Sequence, residues 1–441
     1  MLDEAKAGDY EPSDIGVIGV IGLGYVGLPF AMAFVRRGFA VIGIDVDARK
    51  LEMLQRGKSY IRDVEDAELA EAVTAGKLVV SSSFSRLADA SSIVICVPTP
   101  LTANQAPDLS FLTAACRQLQ PHLSFGQLVI VESTTFPGTT REVVQPLLEL
   151  GGLRAGESFH LAYSPERIDP GNTATPVEDV PKVVSGLTAP CLTRIVSLYS
   201  AVFHQVVPVS STDTAEAAKL LENSFRLVNI SFINEFAKLC DQLGLDIWEV
   251  IRAASTKPYG FMSFLPGPGI GGHCIPVDPL YMQWKAREAG TESRFIELSR
   301  DTNESIPSYI VSRLERLLQP ERTLNGASIL ICGVTYKRDV ADLRESSALV
   351  VMERLCNAGA TVAYYDPYIP TVRIGEASWR SISLTDEAIA AADCILIHTD
   401  HAGLPIDRIV AHAAAIYDTR NLTRGKSGPG KLARFGDGSR Q

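Results

Sequence analysis

The stretch IGVIGVIGLGYVGLPFAMAFVRR, residues 15–37, decides the fold of this chain. Its apolar first part, residues 15–21, predicts a buried strand, and residues 28–37 predict a helix with Pro29 in the first turn, where a missing amide donor costs nothing. Because the run from Ile15 to Val35 carries no charge, it is also long enough for a membrane span. Acidic residues before it and five glycines between 16 and 27 favour a strand, a turn and a packed helix instead.

Composition restricts the classes of protein to consider. The chain has 441 residues, which predicts two or three domains, and a net charge of -10, which argues against nucleic-acid binding. A hydrophobic content of 46% is typical of a globular protein with a large core. The eight cysteines are scattered without a CxxC pair, so we expect reduced thiols in a cytoplasmic protein.

Apolar strands alternate with helices in both halves of the chain. The predicted strands are residues 15–21, 40–44, 78–81, 92–97 and 127–132, then 328–332, 361–365, 394–398 and 415–417. The predicted helices include residues 28–37, 212–243, 280–318 and 347–358. This alternation predicts an α/β protein with two doubly wound parallel sheets, which the long helix 212–243 joins.

The turn Gly22-Leu23-Gly24-Tyr25-Val26-Gly27 has the spacing GxGxxG between a strand and a helix. The first glycine permits a tight turn, the second lets the backbone approach a pyrophosphate, and the third lets helix and strand pack closely. Asp45 ends the next predicted strand, where it can accept hydrogen bonds from the ribose hydroxyls of adenosine. The carboxylate would repel a 2′-phosphate, although Lys50 nearby could favour one. We therefore predict an NAD site.

A second candidate site surrounds Cys274 in the sequence GGHCIPVD, residues 271–278. A cysteine after a glycine-rich turn can lie close to backbone amides, which stabilise a thiolate and a developing oxyanion. His273 and Asp278 are candidate proton-transfer groups beside it. Since a single cysteine is more often a small core residue, the glycines and polar neighbours are what favour a nucleophile.

Seven segments resemble the UDP-glucose/GDP-mannose dehydrogenase family, along nearly the whole chain. They are GLGYVGLP at 22–29, CVPTP at 96–100, ESTTFPGT at 132–139, YSPERIDPGN at 163–172, AEAAKLLEN at 215–223, GGHCIPVDP at 271–279 and GVTYKRDVADLRES at 333–346. Their order and spacing make the resemblance specific. It implies an enzyme that uses NAD to oxidise the 6-hydroxymethyl group of a UDP-sugar to a carboxylate, in two hydride transfers.

The resemblance also assigns catalytic roles. Cys274 would trap the intermediate aldehyde as a thiohemiacetal, which is oxidised to a thioester and hydrolysed. Lys219 and Asn223 are four residues apart on a predicted helix and share a face. Spacing alone would favour a solvated surface pair, but the resemblance places them on the 6-oxygen. The other implied catalytic residues are Asp278, Thr135 and Glu166, which would act through charge, hydrogen bonds and water.

Binding residues are predicted for cofactor and substrate. The predicted cofactor-binding residues are Gly22, Gly24, Tyr25, Val26, Gly27, Asp45, Lys50, Thr99, Thr135 and Arg344. The predicted substrate-binding residues are Glu166, Arg167, Lys219, Asn223, Phe264, Gly271, His273 and Lys337. Lys337 and Arg344 suit phosphates by position and charge, with a solvated basic loop as the alternative. No metal site is predicted.

The predicted organisation has five parts. They are a flexible N-terminus (1–14), an NAD-binding Rossmann domain (15–210), a central helical and dimerisation domain with Cys274 (211–320), a UDP-binding Rossmann-like domain (321–424) and a flexible tail (425–441). Apolar residues between 225 and 236 predict a helix face buried against a second subunit or between domains of the chain, and the resemblance favours a homodimer. We expect no nucleic-acid or membrane partner.

The identity of the sugar rests on resemblance alone. Glucose-type members of the family usually carry a second glutamate shortly after the position of Glu166, where this chain has Pro170, and a small residue at the position of His273. Together with Arg167, these departures favour a UDP-N-acetylhexosamine, with UDP-N-acetylglucosamine first among its epimers. UDP-glucose remains the alternative. A 6-phosphogluconate-like or hydroxyacid dehydrogenase, which needs no nucleophilic cysteine, and a non-catalytic NAD sensor also remain open.

Overall fold

The computed structural model describes residues 16–61, 63–168 and 175–439. The predicted flexible N-terminus, Ile15 and the end of the YSPERIDPGN segment with Pro170 lie outside the described residues. The chain divides into two compact units. The first unit ends at residue 222 and also includes residues 280–291, whereas the second comprises residues 223–279 and those from 292 onward.

The first unit is built on an eight-stranded sheet with the order β3-β2-β1-β4-β5-β6-β7-β8. Its strands are β1 (Ile18–Ile21), β2 (Val41–Ile44), β3 (Leu78–Ser81), β4 (Ser92–Ile95), β5 (Leu128–Val131), β6 (His160–Tyr163), β7 (Lys182–Gly186) and β8 (Val206–Pro208). Its helices are α1 (Gly27–Arg36), α2 (Ala48–Gln55), α3 (Asp66–Thr74), α4 (Ser110–Leu119), α5 (Gln145–Leu148) and α6 (Ala189–Ser200). Strands β1 to β6 are parallel, which confirms the predicted parallel sheet for this part.

Strand β7 departs from that prediction because it runs antiparallel to β6. A parallel neighbour needs a crossover of a dozen or more residues, usually a helix. The described part of the β6–β7 link has only a short 3-10 helix, Val177–Asp179. The chain therefore turns back beside β6, and this brings Lys182 to the carboxyl end of β5.

From residue 16 onward, the apolar run forms a buried strand and a packed helix. All residues of β1, β2, β4 and β5 are buried, as continuous apolar strands between two helical layers must be. Leu28, Phe30 and Phe34 of α1 pack into the same core. Among the described residues, no helix combines the length and the apolar character needed to cross a bilayer.

The second unit contains a parallel sheet with the order β10-β9-β13-β14-β15 and a separate β11–β12 hairpin. The strands are β9 (Ser328–Cys332), β10 (Thr361–Tyr365), β11 (Thr371–Ile374), β12 (Ala377–Arg380), β13 (Cys394–Ile397), β14 (Ala415–Asp418) and β15 (Lys431–Arg434). Helices confined to this unit are α8 (Ile247–Ala254), α10 (Arg294–Leu318), α11 (Ser347–Asn357), α12 (Asp386–Ala391) and α13 (Ile406–His412). Two α/β units, the first on a mostly parallel sheet and the second on a parallel one, confirm the predicted fold class.

Two further helices, α7 (Thr212–Leu243) and α9 (Cys274–Glu288), belong to both units. The prediction of one long helix over residues 212–243 is confirmed at both ends. The further helix predicted over residues 280–318 is present as two helices, since the chain forms α9 and then α10 in this region. Gly290 lies between them with a φ of 75°, a left-handed conformation that ends a helix.

The prediction of a flexible tail from residue 425 is also wrong for the described residues. Strand β15 pairs with β14, and Phe435 behind it is fully buried. The indole Nε1 of Trp248 donates to the Phe435 carbonyl at 2.9 Å, and the Ile247 amide donates to the Gly436 carbonyl at 2.7 Å. The glycines and serines of this segment suggested disorder, yet its few apolar side chains reach the core of the second unit.

We predict that Phe435→Ala lowers the free energy of unfolding by about 3–5 kcal/mol, the usual cost of a cavity of this size. Urea denaturation followed by tryptophan fluorescence measures it. Phe125→Ala is the matched control, since Phe125 is 80% exposed and should leave the midpoint unchanged. Equal midpoints for Phe435→Ala and wild type would show that the C-terminal segment does not pack as described.

Candidate functional site

The three glycines of the GxGxxG turn have different surroundings. Gly22 has a φ of 91°, and a Cβ at Gly27 would lie 1.8 Å from the Gly22 carbonyl oxygen, so only glycine fits there. A Cβ at Gly24 would have no heavy atom within 4 Å. Helix α1 begins at Gly27, and no side chain caps it at Val26. The turn thus keeps open space at the positive end of a helix, which suits a pyrophosphate.

Asp45 follows β2 and is buried beside this turn. Its carboxylate accepts hydrogen bonds from the amides of Leu23 and Asp47, both at 2.9 Å. The Lys50 ammonium lies 3.4 Å from the same carboxylate, so Lys50 is a counter-ion of Asp45 in this structure. Carboxylate oxygens have further acceptor capacity for ribose hydroxyls. The residues present therefore fit an NAD molecule.

The loop after β5 is held by Glu216, a residue whose role the sequence analysis missed. Glu216 is buried and accepts hydrogen bonds from the Thr135 hydroxyl at 3.3 Å and from the amides of Gly138 at 2.7 Å and Thr140 at 2.9 Å. Burial raises the pKa of Glu216 to about 7. The signal was available: Glu216 precedes Lys219 by three residues and so lies on the same helix face.

Lys219 forms a buried ion pair and is not the solvated surface residue that spacing alone would favour. Its ammonium lies 3.8 Å from the Glu166 carboxylate, and both side chains are buried. Glu166 also accepts a hydrogen bond from the Ile168 amide. Arg167, the next residue, pairs with Glu222 on α7 and donates to the Pro181 carbonyl at 2.9 Å.

Thr99, the remaining predicted cofactor contact of the first unit, follows β4 and is buried. The Tyr281 hydroxyl donates to its carbonyl oxygen and, at 3.0 Å, to that of Pro100. Tyr25 and Val26 lie in the glycine turn itself, where the Tyr25 side chain is exposed. These contacts leave the cofactor roles of the three residues as predictions.

In the second unit, Cys274 is the first residue of α9 and is half-buried. A helix N-terminus favours the negatively charged form of a thiol. Asp278 lies one helical turn further on and is buried. The Asn223 amide nitrogen donates to the Asp278 carboxylate at 2.6 Å, so these two predicted catalytic residues form one buried pair.

The glycine turn before Cys274 packs tightly against the segment 336–345. The Gly272 amide donates to the Arg344 carbonyl at 2.9 Å, and Gly272 has a φ of 82°. A Cβ at Gly272 would lie 2.6 Å from the Tyr336 ring, and one at Gly271 would lie 2.6 Å from the Glu345 carbonyl oxygen. Tyr336, which was not predicted from the sequence as a site residue, leaves no room for side chains in this turn.

Arg344 combines this backbone contact with a side-chain ion pair. Its guanidinium lies 2.7 Å from the Asp342 carboxylate. The hydrogen bond to Asp342 raises the pKa of Arg344 against a partial loss of hydration, and electrostatic attraction to Cys274 adds to the rise. A positive charge within electrostatic reach of Cys274 favours the thiolate.

The other predicted substrate residues of this unit are less informative. The His273 side chain is half-buried, and the Phe264 ring packs edge-on against Phe225 at 5.8 Å. The Lys337 carbonyl accepts a hydrogen bond from the Thr335 hydroxyl at 2.8 Å. Their roles stay predictions.

Arg420, after β14, is a candidate that the sequence analysis missed. It donates through Nε to the His398 carbonyl at 3.0 Å, and a Cβ at Gly267 would lie 2.9 Å from its guanidinium. The signal was an arginine two residues after a strand-ending aspartate, Asp418, because ligands bind at the carboxyl ends of parallel strands.

We predict that Gly24→Ala impairs NAD binding, whereas Gly27→Ala impairs folding. Gly24→Ala should keep the wild-type melting temperature without cofactor but weaken NAD binding at least about 10-fold, or about 1.4 kcal/mol, because the methyl group enters the space for the pyrophosphate. Gly27→Ala should destabilise the fold itself. Thermal melts and isothermal titration with NAD measure both effects. Unchanged NAD affinity in Gly24→Ala would show that the cofactor does not bind at this turn.

Comparison with known proteins bears on both units. The UDP-D-ManNAc dehydrogenase structure from Pyrococcus horikoshii superimposes with a TM-score of 0.87 at 33% identity, covering 96% of this chain and 99% of that one. The UDP-N-acetyl-D-glucosamine 6-dehydrogenase of Pseudomonas aeruginosa is 37% identical over 355 residues, 80% of this chain and 83% of that protein. The UDP-N-acetyl-D-mannosamine dehydrogenase of Methanococcus maripaludis is 33% identical over 406 residues, 90% of this chain and 88% of that protein.

Three models of the UDP-glucose/GDP-mannose dehydrogenase family match the chain in order. The NAD binding domain matches residues 17–203, the central domain residues 213–305 and the UDP binding domain residues 330–425. The predicted family and the predicted cofactor, NAD, are thereby confirmed. The chain belongs to the UDP-glucose/GDP-mannose dehydrogenase family and is an NAD-dependent nucleotide-sugar dehydrogenase.

Proposed function

We propose that this enzyme oxidises the 6-hydroxymethyl group of a UDP-N-acetylhexosamine to the uronic acid, and that Cys274 carries the covalent intermediate. Among the epimers, UDP-N-acetylglucosamine is the substrate that we propose first. The observation that carries the proposal is the place of Cys274 at the first position of α9, behind a turn that admits only glycine. Asp278 follows on the same helix, one turn away. The chemistry of a covalent intermediate needs such a nucleophile with a polar group nearby.

The reaction is a four-electron oxidation in two parts. First, C6 of the sugar loses a hydride and its hydroxyl loses a proton, which gives the aldehyde. The Cys274 sulfur then bonds to the aldehyde carbon, and the thiol proton goes to the aldehyde oxygen, giving a thiohemiacetal. Loss of a second hydride and the hydroxyl proton leaves a thioester, and water breaks the C–S bond to give the carboxylate and the free thiol. NAD supplies the hydride acceptor for both oxidations.

Polar pairs of each unit suit the proton and charge transfers. The Lys219 ammonium, paired with Glu166, can stabilise negative charge on the 6-oxygen, and Glu166 can accept a proton through water. Asn223 holds the Asp278 carboxylate at 2.6 Å. We assign to that carboxylate the role of orienting the water that hydrolyses the thioester. Thr135 would act through the hydrogen bond of its hydroxyl to Glu216.

The second unit supplies cations for the diphosphate. Lys337 and Arg420 follow β9 and β14 at the carboxyl edge of the sheet, where parallel strands bind ligands. Arginine suits a diphosphate because its planar donors pair with two oxygens at once. The proposed N-acetylhexosamine preference is supported by relatives whose names specify UDP-N-acetyl sugars. NADH production with UDP-N-acetylglucosamine, its mannose and galactose epimers and UDP-glucose tests the choice, and a preference for UDP-glucose would contradict it.

We predict that Cys274→Ser lowers net NADH production on the order of 1,000-fold, which corresponds to about 4 kcal/mol in the barrier. The reason is that serine is a much weaker nucleophile toward the aldehyde. Cys356→Ser is the matched control, because Cys356 is also a half-buried thiol of the second unit but lies on α11. Wild type should form two NADH per sugar acid; full activity of Cys274→Ser would instead favour a dehydrogenase without a covalent step.

We further propose a homodimer through an apolar face of the second unit. Four exposed apolar side chains of α7 recur at helical spacing, and α10 adds two more. They are Phe232, Phe236, Leu239, Leu243, Phe295 and Leu298. Exposed apolar side chains along one face of a helix are typical of an association site, and a second copy of the chain is the occupant that the predicted dimer requires.

Phe232→Asp should convert the dimer to a monomer, because a charge would be buried at the subunit contact. Light scattering during size-exclusion chromatography gives the mass. Leu150→Asp is the control, since Leu150 is an exposed residue of the first unit and should leave the mass unchanged. A wild-type protein that elutes as a monomer would disprove the homodimer.

A further inference from the structure

A buried ion pair, Glu132 with Lys182, lies in the first unit and has no part in the chemistry described above. Their exposed fractions are 1% and 3%. The Lys182 ammonium contacts one carboxylate oxygen of Glu132, and the Tyr199 hydroxyl donates to the other at 2.8 Å. Each charge therefore relies on the other, and on few further polar groups, to compensate for the hydration that it loses on burial.

Aromatic rings surround the Lys182 ammonium. Its Nζ lies 5.1 Å from the ring centroid of Phe30, 5.8 Å from that of Tyr199 and 5.4 Å from that of Phe203. Rings attract a cation through their faces, but they accept no strong hydrogen bonds. The polar contacts of the ammonium are therefore to Glu132 and, at 3.5 Å, to the Pro165 carbonyl.

The pair is bonded to the two residues that precede Glu166. The Ser164 hydroxyl donates to the Glu132 carboxylate at 3.3 Å, and the Pro165 carbonyl faces Lys182. Glu166 comes next and forms the ion pair with Lys219 at 3.8 Å. A chain of contacts thus runs from the buried pair through the backbone of residues 164–165 to Glu166 and Lys219.

Stability alone does not account for a pair of this kind. The cost of removing two charges from water is often as large as their attraction, and apolar replacements of similar volume are often neutral or stabilising. Burial raises the pKa of Glu132 despite Lys182, and the negative charge of Glu166 contributes to the rise. Glu132 and Glu166 are therefore close enough to influence each other.

We propose that the Glu132–Lys182 pair is a positioning device that fixes Glu166, and through it Lys219, for the oxidation. This inference rests on the proposed function for its kinetic consequences only. An apolar pair could fill the same volume but could not bond the Ser164 hydroxyl and the Pro165 carbonyl. Glu132 and Lys182 are positioning residues, since their contacts are to the residues before Glu166.

The test compares Lys182→Met, Glu132→Gln and the double variant Glu132→Gln/Lys182→Met with wild type. The double variant keeps the volumes and buries no uncompensated charge, so it carries the test if Lys182→Met fails to fold. Arg313→Met is the matched control, because Arg313 and Asp241 form another buried pair, 3.9 Å apart, in the second unit. Each variant is measured by thermal melting, by hydrogen exchange of residues 160–168 and by the pH profile of kcat/KM.

In the double variant, hydrogen exchange of residues 160–168 should be faster than in wild type, and kcat should fall about 10- to 100-fold, the usual effect of a small misplacement. In Glu132→Gln, the Lys182 ammonium keeps its contacts to the Pro165 carbonyl and the aromatic rings, so its uncompensated positive charge should move the acidic limb of the kcat/KM profile to lower pH. The limb should return toward the wild-type position in the double variant. Arg313→Met should lower the melting temperature without either effect.

The inference would be overturned if a folded double variant exchanged hydrogens at residues 160–168 at the wild-type rate. It would also be overturned if the kcat, KM and pH profile of that variant equalled those of wild type. The exchange experiment uses the enzyme without substrate. If wild type oxidises none of the UDP-sugars, the proposed function fails, but the exchange result still decides whether the pair holds the segment before Glu166. The two failures are thus distinguishable.

Discussion

Only hydrogen fits at the Cβ positions of Gly271 and Gly272, and the place of Cys274 depends on this constraint. The Tyr336 ring and the Glu345 carbonyl occupy the space that side chains would need. The Gly272 amide, bonded to the Arg344 carbonyl, fixes the turn two residues before the thiol. Cys274 therefore begins α9 at the positive end of the helix, where a backbone environment of this kind would favour the thiolate that we propose as the nucleophile.

The polar side chains with proposed catalytic roles are already paired within their own units. Buried polar groups cost free energy unless they find partners, and Lys219 with Glu166 and Asn223 with Asp278 meet that requirement. Paired side chains lose little further entropy when a substrate arrives, so the arrangement favours catalysis as well as folding. Glu216 plays the same part for the loop of Thr135.

Both units have, after a strand, an aspartate whose carboxylate accepts a hydrogen bond from a backbone amide, but the surroundings of the two carboxylates differ. In the first unit Asp45 accepts a hydrogen bond from the Leu23 amide, and in the second Asp366 accepts one from the Val334 amide at 2.7 Å. His401 also lies 3.0 Å from the Asp366 carboxylate, whereas the Asp45 carboxylate has the Lys50 ammonium at 3.4 Å. The Asp366 carboxylate thus stabilises the fold of its own unit, which is consistent with a different ligand there.

The sequence predicted what depends on local pattern. Apolar strands, the GxGxxG turn and the helix 212–243 follow from periodicity and glycine placement, and the structure has them at nearly the predicted bounds. The antiparallel β7, the ordered strand β15 and the buried partner Glu216 were missed, because each depends on residues far away in the chain. Lys182 and Tyr336 were missed for the same reason, since their importance comes from what packs against them.

The covalent role of Cys274 can be tested most directly by chemical quench during a single turnover. Acid-quenched enzyme with the UDP-sugar and excess NAD is digested, and the peptide that contains Cys274 is weighed by mass spectrometry. We expect a transient mass increase equal to the UDP-sugar acyl group, which appears before the free sugar acid and decays as the acid forms. Formation of the sugar acid with Cys274 unmodified throughout, or with the adduct on another residue, would contradict it.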